Sequence, residues 1–544
     1  MTTTSFIELD QFLSDHRLEL VPSKDRRQYV VSKQPIRAGA IVYALPSLYG
    51  FPQIDHGAPT RCFCCYKVLS ASDFRCSQCR CVSYCSPSCQ QVHWKLWHRA
   101  ECKHLKSVGV FPKIATGKTK SPSLLSIQRS DEMRQFDPEK AMLIGVLQQL
   151  RYISQNTASN KPKALPQWLT LQAKALEHLV DHRSDLPSDL IQRFELLAAD
   201  VLKNSEAGQI FSRSNAAPLT SSDLVKYLCK FHCNNFISHD ASMFSIGEVA
   251  HPVSSLLFNH SCIPNCIHIY TKDGFQLIRA LHDIPARHEL TIAYVDPITP
   301  RTERRRRLKD VYAFDCTCPR CVGPTHGGVA GSDGNDDDLK DYWNSLVHFD
   351  RLFDKKFSQK DAAGQQPQSY QGVDFSWPKL PRSLVQLTSH PEYITKLSKR
   401  VKAAETLHPV PTFNIFKKIQ DQATSLESKG ISSLSDDQIT QLLELSKKTL
   451  YVYGLVYPQN YPIIAFQYIK IAAHSISAGE VNSAREYYSL ALKMLKNALG
   501  YTVPTSDIQI NNERPNLVGI EDIDTDIETI KMHLESSQNM GVSL

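Results

Sequence analysis

The spacing of apolar positions divides the 544-residue chain into stretches of different character. Gln28-Tyr-Val-Val-Ser32 and Ala40-Ile-Val-Tyr-Ala-Leu45 are β-branched and aromatic, and predict strands joined by the turn Pro35-Ile-Arg-Ala-Gly39. From about residue 103 to 245 the period becomes helical, as in Ala141–Leu150 and Leu190–Leu197, with Ser- and Lys-rich loops at 114–125 and 154–164. Strands return at Ile267–Tyr270, Phe275–Leu281 and Leu290–Val295, the last alternating Leu290, Ile292 and Tyr294 against Thr291, Ala293 and Val295. The Gly- and Asp-rich run 323–338 reads as a linker. Beyond about 375 the pattern is helical again, including Ile439–Tyr453 and a run opened by Pro462 and closed at Ser477 before Gly479. A further run, capped by Asn482 or Ser483, ends at Gly500. Strand segments on either side of a helical stretch, followed by a helical tail, predict an α+β class.

A chain this long exceeds one hydrophobic core, so two to four domains are expected. With 42% apolar and 22% charged residues the composition is globular. The formal charge of +7 permits an acidic partner such as nucleic acid, but solubility accounts for it equally well. Met1-Thr-Thr-Thr-Ser-Phe-Ile-Glu8 carries neither a basic nor an apolar leader region, and no apolar run is long enough to span a membrane. The expectation is an intracellular chain in cytoplasm, nucleus or both, where thiols stay reduced. Arg304-Arg-Arg-Arg307 has the look of a nuclear signal, yet it reads better as a solvated helix face.

In a reducing compartment the sixteen cysteines point to metal rather than disulfides. The run Cys62-x2-Cys65-x10-Cys76-x2-Cys79-x5-Cys85-x3-Cys89-x8-His98-x3-Cys102 supplies eight soft ligands. That suffices for two closed tetrahedral zinc sites with no open position, hence structural ones. In each Cys-x2-Cys pair a short turn lets both thiolates reach one ion, and His98-x3-Cys102 places two ligands on one helix face.

This run is similar to the MYND finger, including Tyr84-Cys85 and Cys89-Gln90…Trp94…His98. The resemblance implies interleaved sites, Cys62, Cys65, Cys85 and Cys89 on one ion and Cys76, Cys79, His98 and Cys102 on the other. Three residues separate Trp94 from His98 where two are usual, so His93 is a rival ligand; Cys64 and Cys81 are left over. Further on, Asn259-His-Ser-Cys-Ile-Pro-Asn265-Cys266, then Glu289-Leu-Thr-Ile-Ala-Tyr294, then Tyr312-Ala-Phe-Asp-Cys316-Thr-Cys318-Pro-Arg-Cys321 follow in order. Together these resemble the SET and MYND domain-containing lysine methyltransferases. The tail helix pair resembles a tetratricopeptide-like unit.

The resemblance implies a β-rich SET domain with a knot-like core, split by the finger. Its parts would be 1–61 (N-terminal SET segment), 62–102 (finger), 103–230 (helical insert), 231–300 (SET core), 301–323 (post-SET), 324–375 (linker) and 376–544 (helical domain). S-adenosylmethionine would meet Asn259, His260, Asn234, Phe314, Tyr294, Arg26 and Gln28, and the substrate lysine would enter past Phe236, Tyr312 and the central Tyr294. A third zinc would sit on Cys262, Cys316, Cys318 and Cys321, and Asn265 would serve the chain crossing. Aromatic faces suit the task, because an apolar channel favours a neutral lysine amine while ring faces attract alkylammonium. One departure stands out. Counting back from Pro35, the family's Gly-x-Gly turn falls on Arg27-Gln28-Tyr29, so two functions stay open. One is an active protein lysine N-methyltransferase acting on a histone or other protein. The other is an inactive scaffold that binds partners. A monomer is expected, with a proline-rich peptide or nucleic acid as the finger's further partner.

Overall fold

The computed structural model describes residues 6–23, 28–55, 58–59, 61–69, 74–108, 137–157, 165–203, 219–322, 350, 413–458, 460–501, 517–518 and 520–539. Arg26, Arg27, the loop 114–125, the linker 323–338 and the stretch 376–412 lie outside them.

Strand pairing joins the two ends of the chain's first half. Ile41–Pro46 lies antiparallel to Phe275–Ala280, with Pro46 opposite Phe275, and Phe275–Ala280 pairs in turn with Cys266–Tyr270. Tyr49–Pro52 pairs with Ser245–Ala250, which pairs with Phe236–His239. The hairpin of Leu18–Pro22 and Gln28–Ser32 is held to the later segment where Leu290 N–H donates to the Val30 carbonyl at 2.8 Å. Residues 28–52 and 236–292 therefore build one β-rich unit, although nearly two hundred residues separate them.

Beyond the finger, the described residues up to Asn234 are mainly helical. Pro138–Thr157, Gln167–His178, Ser188–Lys203 and Ser221–Asn234 follow the finger, and their apolar faces share a core with its cysteines. The helical period expected to 245 stops at Asn234, eleven residues early. Phe236–His239 is a strand, because its residues find a backbone partner in Ser245–Ala250. A buried polar network ties helix to sheet. The Gln172 amide donates to the Pro46 carbonyl at 2.7 Å and accepts from Val253 N–H at 3.0 Å, while His251 meets Ser254 Oγ at 2.8 Å.

The described C-terminal helices run Phe413–Glu427, Asp436–Val456, Pro462–Ser477, Val481–Leu499 and Ile520–Asn539. Each of the first four packs on the next. A reciprocal cap between Ser435 and Gln438 starts the second, and Pro462 opens the third. The fourth begins one residue before the expected caps, with Glu480 ahead of it and no side-chain cap bond. Leu495, Leu499 and Ile464 share a core with Ile267, Ile269 and Leu277, so these helices cover one face of the sheet.

Trp97 pins the finger to that sheet. Its indole N–H donates to the Ser47 carbonyl at 2.9 Å, and its ring lies against Gly274 in the hairpin turn. A Cβ on Gly274 would stand 2.2 Å from the Trp97 ring, and its φ of +84° also demands glycine.

Candidate active site and metal centres

Three groups of four ligands converge, each with its ligand atoms within 4.8 Å of one another. They are Cys62, Cys65, Cys85 and Cys89; Cys76, Cys79, His98 and Cys102; and Cys262, Cys316, Cys318 and Cys321. Cys65 and Cys85 sulfurs are 3.4 Å apart, Cys85 and Cys89 3.6 Å, Cys76 and Cys102 3.6 Å, and Cys262 and Cys321 3.6 Å. A Zn–S bond of about 2.3 Å puts tetrahedral thiolates about 3.8 Å apart. The donor sets therefore fit a tetrahedral ion. The left-over Cys64 and Cys81 have a backbone task, since their N–H groups point at Cys62 Sγ and Cys79 Sγ, both at 3.5 Å.

The extra residue before His98 is absorbed by a change of helix type. Trp94–His98 is a π-helical turn between the α-helices Pro87–His93 and Arg99–Val108. A π-turn accommodates one added residue without ending the helix. His98 thus still presents Nε2 to Cys79 Sγ at 3.5 Å, and its Nδ1–H meets Glu101 Oε1 at 2.9 Å. That carboxylate fixes the ring and the tautomer. His93 lies stacked on His98 with Nδ1 on the Tyr84 hydroxyl at 2.9 Å. Burial holds its imidazole neutral, and it stands beside the four-ligand set rather than within it.

The second constellation forms where Asn259–His260 pairs in parallel with Thr291–Ile292. Asn265 clamps this crossing, its amide donating to the Glu289 carbonyl at 2.7 Å and accepting from Thr291 N–H at 2.8 Å. The run Leu290–Val295 is strand only at Thr291–Ile292, because beyond Ile292 the backbone gives its hydrogen bonds to side chains. Tyr294 is held at three points. Its N–H donates to His260 Nδ1 at 2.9 Å, its hydroxyl donates to the Phe258 carbonyl, and its carbonyl accepts from the Tyr312 hydroxyl at 3.2 Å.

Aromatic rings gather around it. Tyr312 lies 4.9 Å from Tyr294, His260 5.4 Å, and Phe314 6.3 Å edge-on. The turn that brings both Tyr312 and Phe314 inward closes the helix Arg301–Tyr312 with Ala313 at φ +59°. Ala313 N–H bonds to the Lys309 carbonyl and Phe314 N–H to that of Leu308, the first being the bond of an αL closure with alanine where glycine is usual. Burial pushes the Tyr312 phenol up to about 12, so it remains a neutral donor.

Other sequence-predicted residues are placed as follows. Asn259 Nδ2 donates to the Gln28 carbonyl at 3.0 Å and to Glu289 Oε1 at 2.9 Å. Gln28 is buried, with its own amide on the Leu256 carbonyl at 3.4 Å. Asn234 turns its amide onto the Lys230 and Val180 carbonyls at 2.8 and 3.3 Å, closing a helix end. Phe236 packs edge-on against His268 and His251, in the same apolar cluster that Tyr294 borders. Arg26 lies outside the described residues.

Sequence reasoning missed the ion triad behind the third cysteine group. Arg304, expected on a solvated face, is fully buried, because its guanidinium is matched by Asp350 and by the Thr299 carbonyl at 2.6 Å. Arg320 grips the same carboxylate with two N–H groups, at 2.9 and 2.8 Å. A lone aspartate inside the stretch expected as linker, 324–375, carries no periodic or motif signal by which it could have been found.

A SET domain family model matches residues 27–295. Histone-lysine N-methyltransferase SMYD3 of Homo sapiens is 30% identical over 247 residues, 45% of this chain and 48% of that protein. N-lysine methyltransferase SMYD2 of Homo sapiens is 25% identical over 291 residues, 53% of this chain and 56% of that protein. A SET and MYND domain-containing protein of Dictyostelium discoideum is 27% identical over 365 residues, 62% of this chain and 87% of that protein. The chain thus spans about half the length of these two human relatives. Among the described residues no helix is long and apolar enough to cross a membrane. With the SET match enclosing the eight ligands of the first two groups and Cys262 of the third, this chain is similar to the SET and MYND domain-containing proteins.

Proposed function

We propose that this chain is an S-adenosylmethionine-dependent protein lysine N-methyltransferase acting on a histone or another protein. The observation that carries the reading is Tyr294, fixed at N–H, carbonyl and hydroxyl inside a half-buried ring of Tyr312, Phe314 and His260. The SMYD3 and SMYD2 relatives, named as lysine methyltransferases, support it.

The donor set suits the cofactor. Asn259 stands half-buried at the end of a strand, and π-faces beside it favour a cation. When bound, S-adenosylmethionine supplies an electrophilic methyl group to a neutral amine. The chain's own residues do the rest. The aromatic ring strips water from the lysine head and lowers its affinity for a proton. The Tyr294 hydroxyl, while donating its hydrogen bond to the Phe258 carbonyl, keeps lone pairs with which to orient an amine N–H. The Tyr312 bond to the Tyr294 carbonyl prevents that ring from swinging, which preserves the near-attack geometry.

Three zinc ions, on the ligand sets given above, belong to the same proposal as structural elements. So do the knot-like crossing at Asn265, the tetratricopeptide-like character of the tail, the domain boundaries given above and the roles of Asn234, Phe236, Gln28 and Arg26. A lysine-bearing protein as substrate, a proline-rich peptide on the finger, a monomeric state and a cytoplasmic or nuclear location complete it; nucleic acid is not part of the proposal.

A second reading, a partner-binding scaffold without activity, is favoured by one feature, Arg27 and Tyr29 standing where the family has the two glycines of a turn. Transfer of tritiated methyl groups to a mixed protein substrate separates the two. Tyr294→Phe should abolish or strongly cut transfer while cofactor affinity by calorimetry stays within about tenfold, roughly 1.4 kcal/mol. Asn259→Ala should weaken cofactor binding itself. Transfer by the Tyr294 variant at the parent's rate would reject the catalytic assignment.

A further inference from the structure

His260 has two ring nitrogens and both are engaged. Nδ1 accepts the Tyr294 N–H at 2.9 Å, so the ring proton sits on Nε2, which faces Cys262 Sγ at 3.2 Å. The imidazole is buried between the third cysteine group and the aromatic ring, 5.4 Å from Tyr294 and 6.1 Å from Phe314. Cys262 Sγ also receives Arg304 Nε at 3.3 Å. It is thus an acceptor fixed by two N–H donors in addition to its partners Cys316, Cys318 and Cys321.

We propose that the His260 side chain is a positioning residue that ties the placement of Tyr294 to metal held at Cys262, Cys316, Cys318 and Cys321. The inference rests on the methyltransferase reading for its consequence, but not for its geometry. A metal-bound thiolate stays in one place and accepts an N–H there. His260 converts that fixed sulfur into a fixed acceptor for the Tyr294 backbone, two bonds away. Release of metal lets Cys262 move, and the tyrosine that borders the reaction centre moves with it. The post-SET group thereby acts on the site through a particular side chain, and not only by folding its own segment.

Two substitutions divide the two ends of the ring. In His260→Asn the amide oxygen stands near the place of Nδ1 and keeps an acceptor for Tyr294, while the donor to Cys262 is lost. In His260→Gln the amide nitrogen reaches the place of Nε2 and keeps the donor, while the acceptor is lost. The full chain is loaded with cobalt(II) in place of zinc, and a fluorotyrosine is placed at 294. The Asn variant should move the thiolate-to-cobalt charge-transfer band to lower energy and leave the fluorine resonance near the parent's. The Gln variant should do the reverse, and should lower turnover by roughly 10–100-fold with a far smaller change in KM.

Both variants should keep the parent's metal content. Loss of one ion in either would overturn the positioning role in favour of a direct part in holding metal. Signals from both variants identical to the parent's would overturn the link itself. If the parent transfers no methyl group to any protein, the proposed function fails, whereas the cobalt and fluorine signatures still decide the role of His260.

Discussion

The Arg304 guanidinium meets the Asp350 carboxylate at 2.7 Å with neither side chain exposed to solvent. Burial alone would raise the Asp350 carboxyl, but Arg320 and Arg304 together hold it below the ordinary carboxylate range. Arg320 also reaches the Val456 carbonyl at 3.2 Å, so one aspartate organises the post-SET turn and a C-terminal helix. Asp350→Ala leaves two buried cations uncompensated and should cost about 3–5 kcal/mol in denaturant unfolding. A loss under about 1 kcal/mol would show that water reaches the arginines.

Metal analysis of the purified chain should give three zinc ions, one per group of four ligands. Glu101→Gln keeps the shape beside His98 but removes the charge that fixes its ring, and should weaken the second site by roughly 10–100-fold in competition with a chelator. An unchanged affinity would assign Glu101 to packing alone.

Two buried histidines should make stability fall in mild acid. Burial lowers His251 to about 4 and His268 to about 3, the latter with smaller contributions from His239 and His251. The folded state therefore binds fewer protons than the unfolded chain between those values and the ordinary 6.5. The stability each contributes is complete above about 6.5 and drains as pH falls toward 4 and then 3, at up to about 1.4 kcal/mol per pH unit per group. Urea midpoints at pH 7 and 5.5 should show the fall, and His251→Asn should flatten it. An unchanged slope in that variant would mean that His251 does not titrate on unfolding.

Ala313 holds a left-handed conformation in the turn between Tyr312 and Phe314. Glycine adopts it freely, so Ala313→Gly should raise stability by about 1 kcal/mol in thermal unfolding. A fall in stability would indicate that the methyl group makes a contact worth more than the strain.

Gln28 and Tyr29 occupy a regular strand opposite Pro22 and Val21. Replacing Arg27 and Tyr29, the two positions of the family's glycines, by glycine weakens that strand by roughly 0.5–1 kcal/mol at Tyr29 and should not improve binding of S-adenosylmethionine. Calorimetry should find the parent in the micromolar range, about −8 kcal/mol. A tenfold or greater gain in the glycine variant would show the side chains to be an obstruction and favour the scaffold reading.

The metal groups were legible because ligation depends on residue type and short spacing, both written along the chain. The single departure, an added residue before His98, could be counted in the sequence, but the π-turn that absorbs it depends on packing around Trp97. Tyr294 was legible through its motif, while the full strand expected around it was not found. Its alternation is real, yet past Ile292 the backbone partners are His260 and Tyr312 side chains rather than a neighbouring strand. Arg304 misled because a run of four arginines has no face of its own. Which one turns inward is decided by Asp350, and nothing near either residue announces the other.

The pairing of Pro46 with Phe275 fixes an order of events during synthesis. At about 5–20 residues per second, the strand Ile41–Pro46 leaves the ribosome roughly ten to fifty seconds before its partner exists. Meanwhile the finger and the helices after it, whose contacts are mostly with one another, can close on themselves. The early strand must wait beside a finished neighbour with its edge unpaired, which is the arrangement most open to wrong pairing with another nascent chain. Yield in a cell should accordingly depend on how quickly the ribosome passes residues 62 to 280 and on what shields the waiting edge.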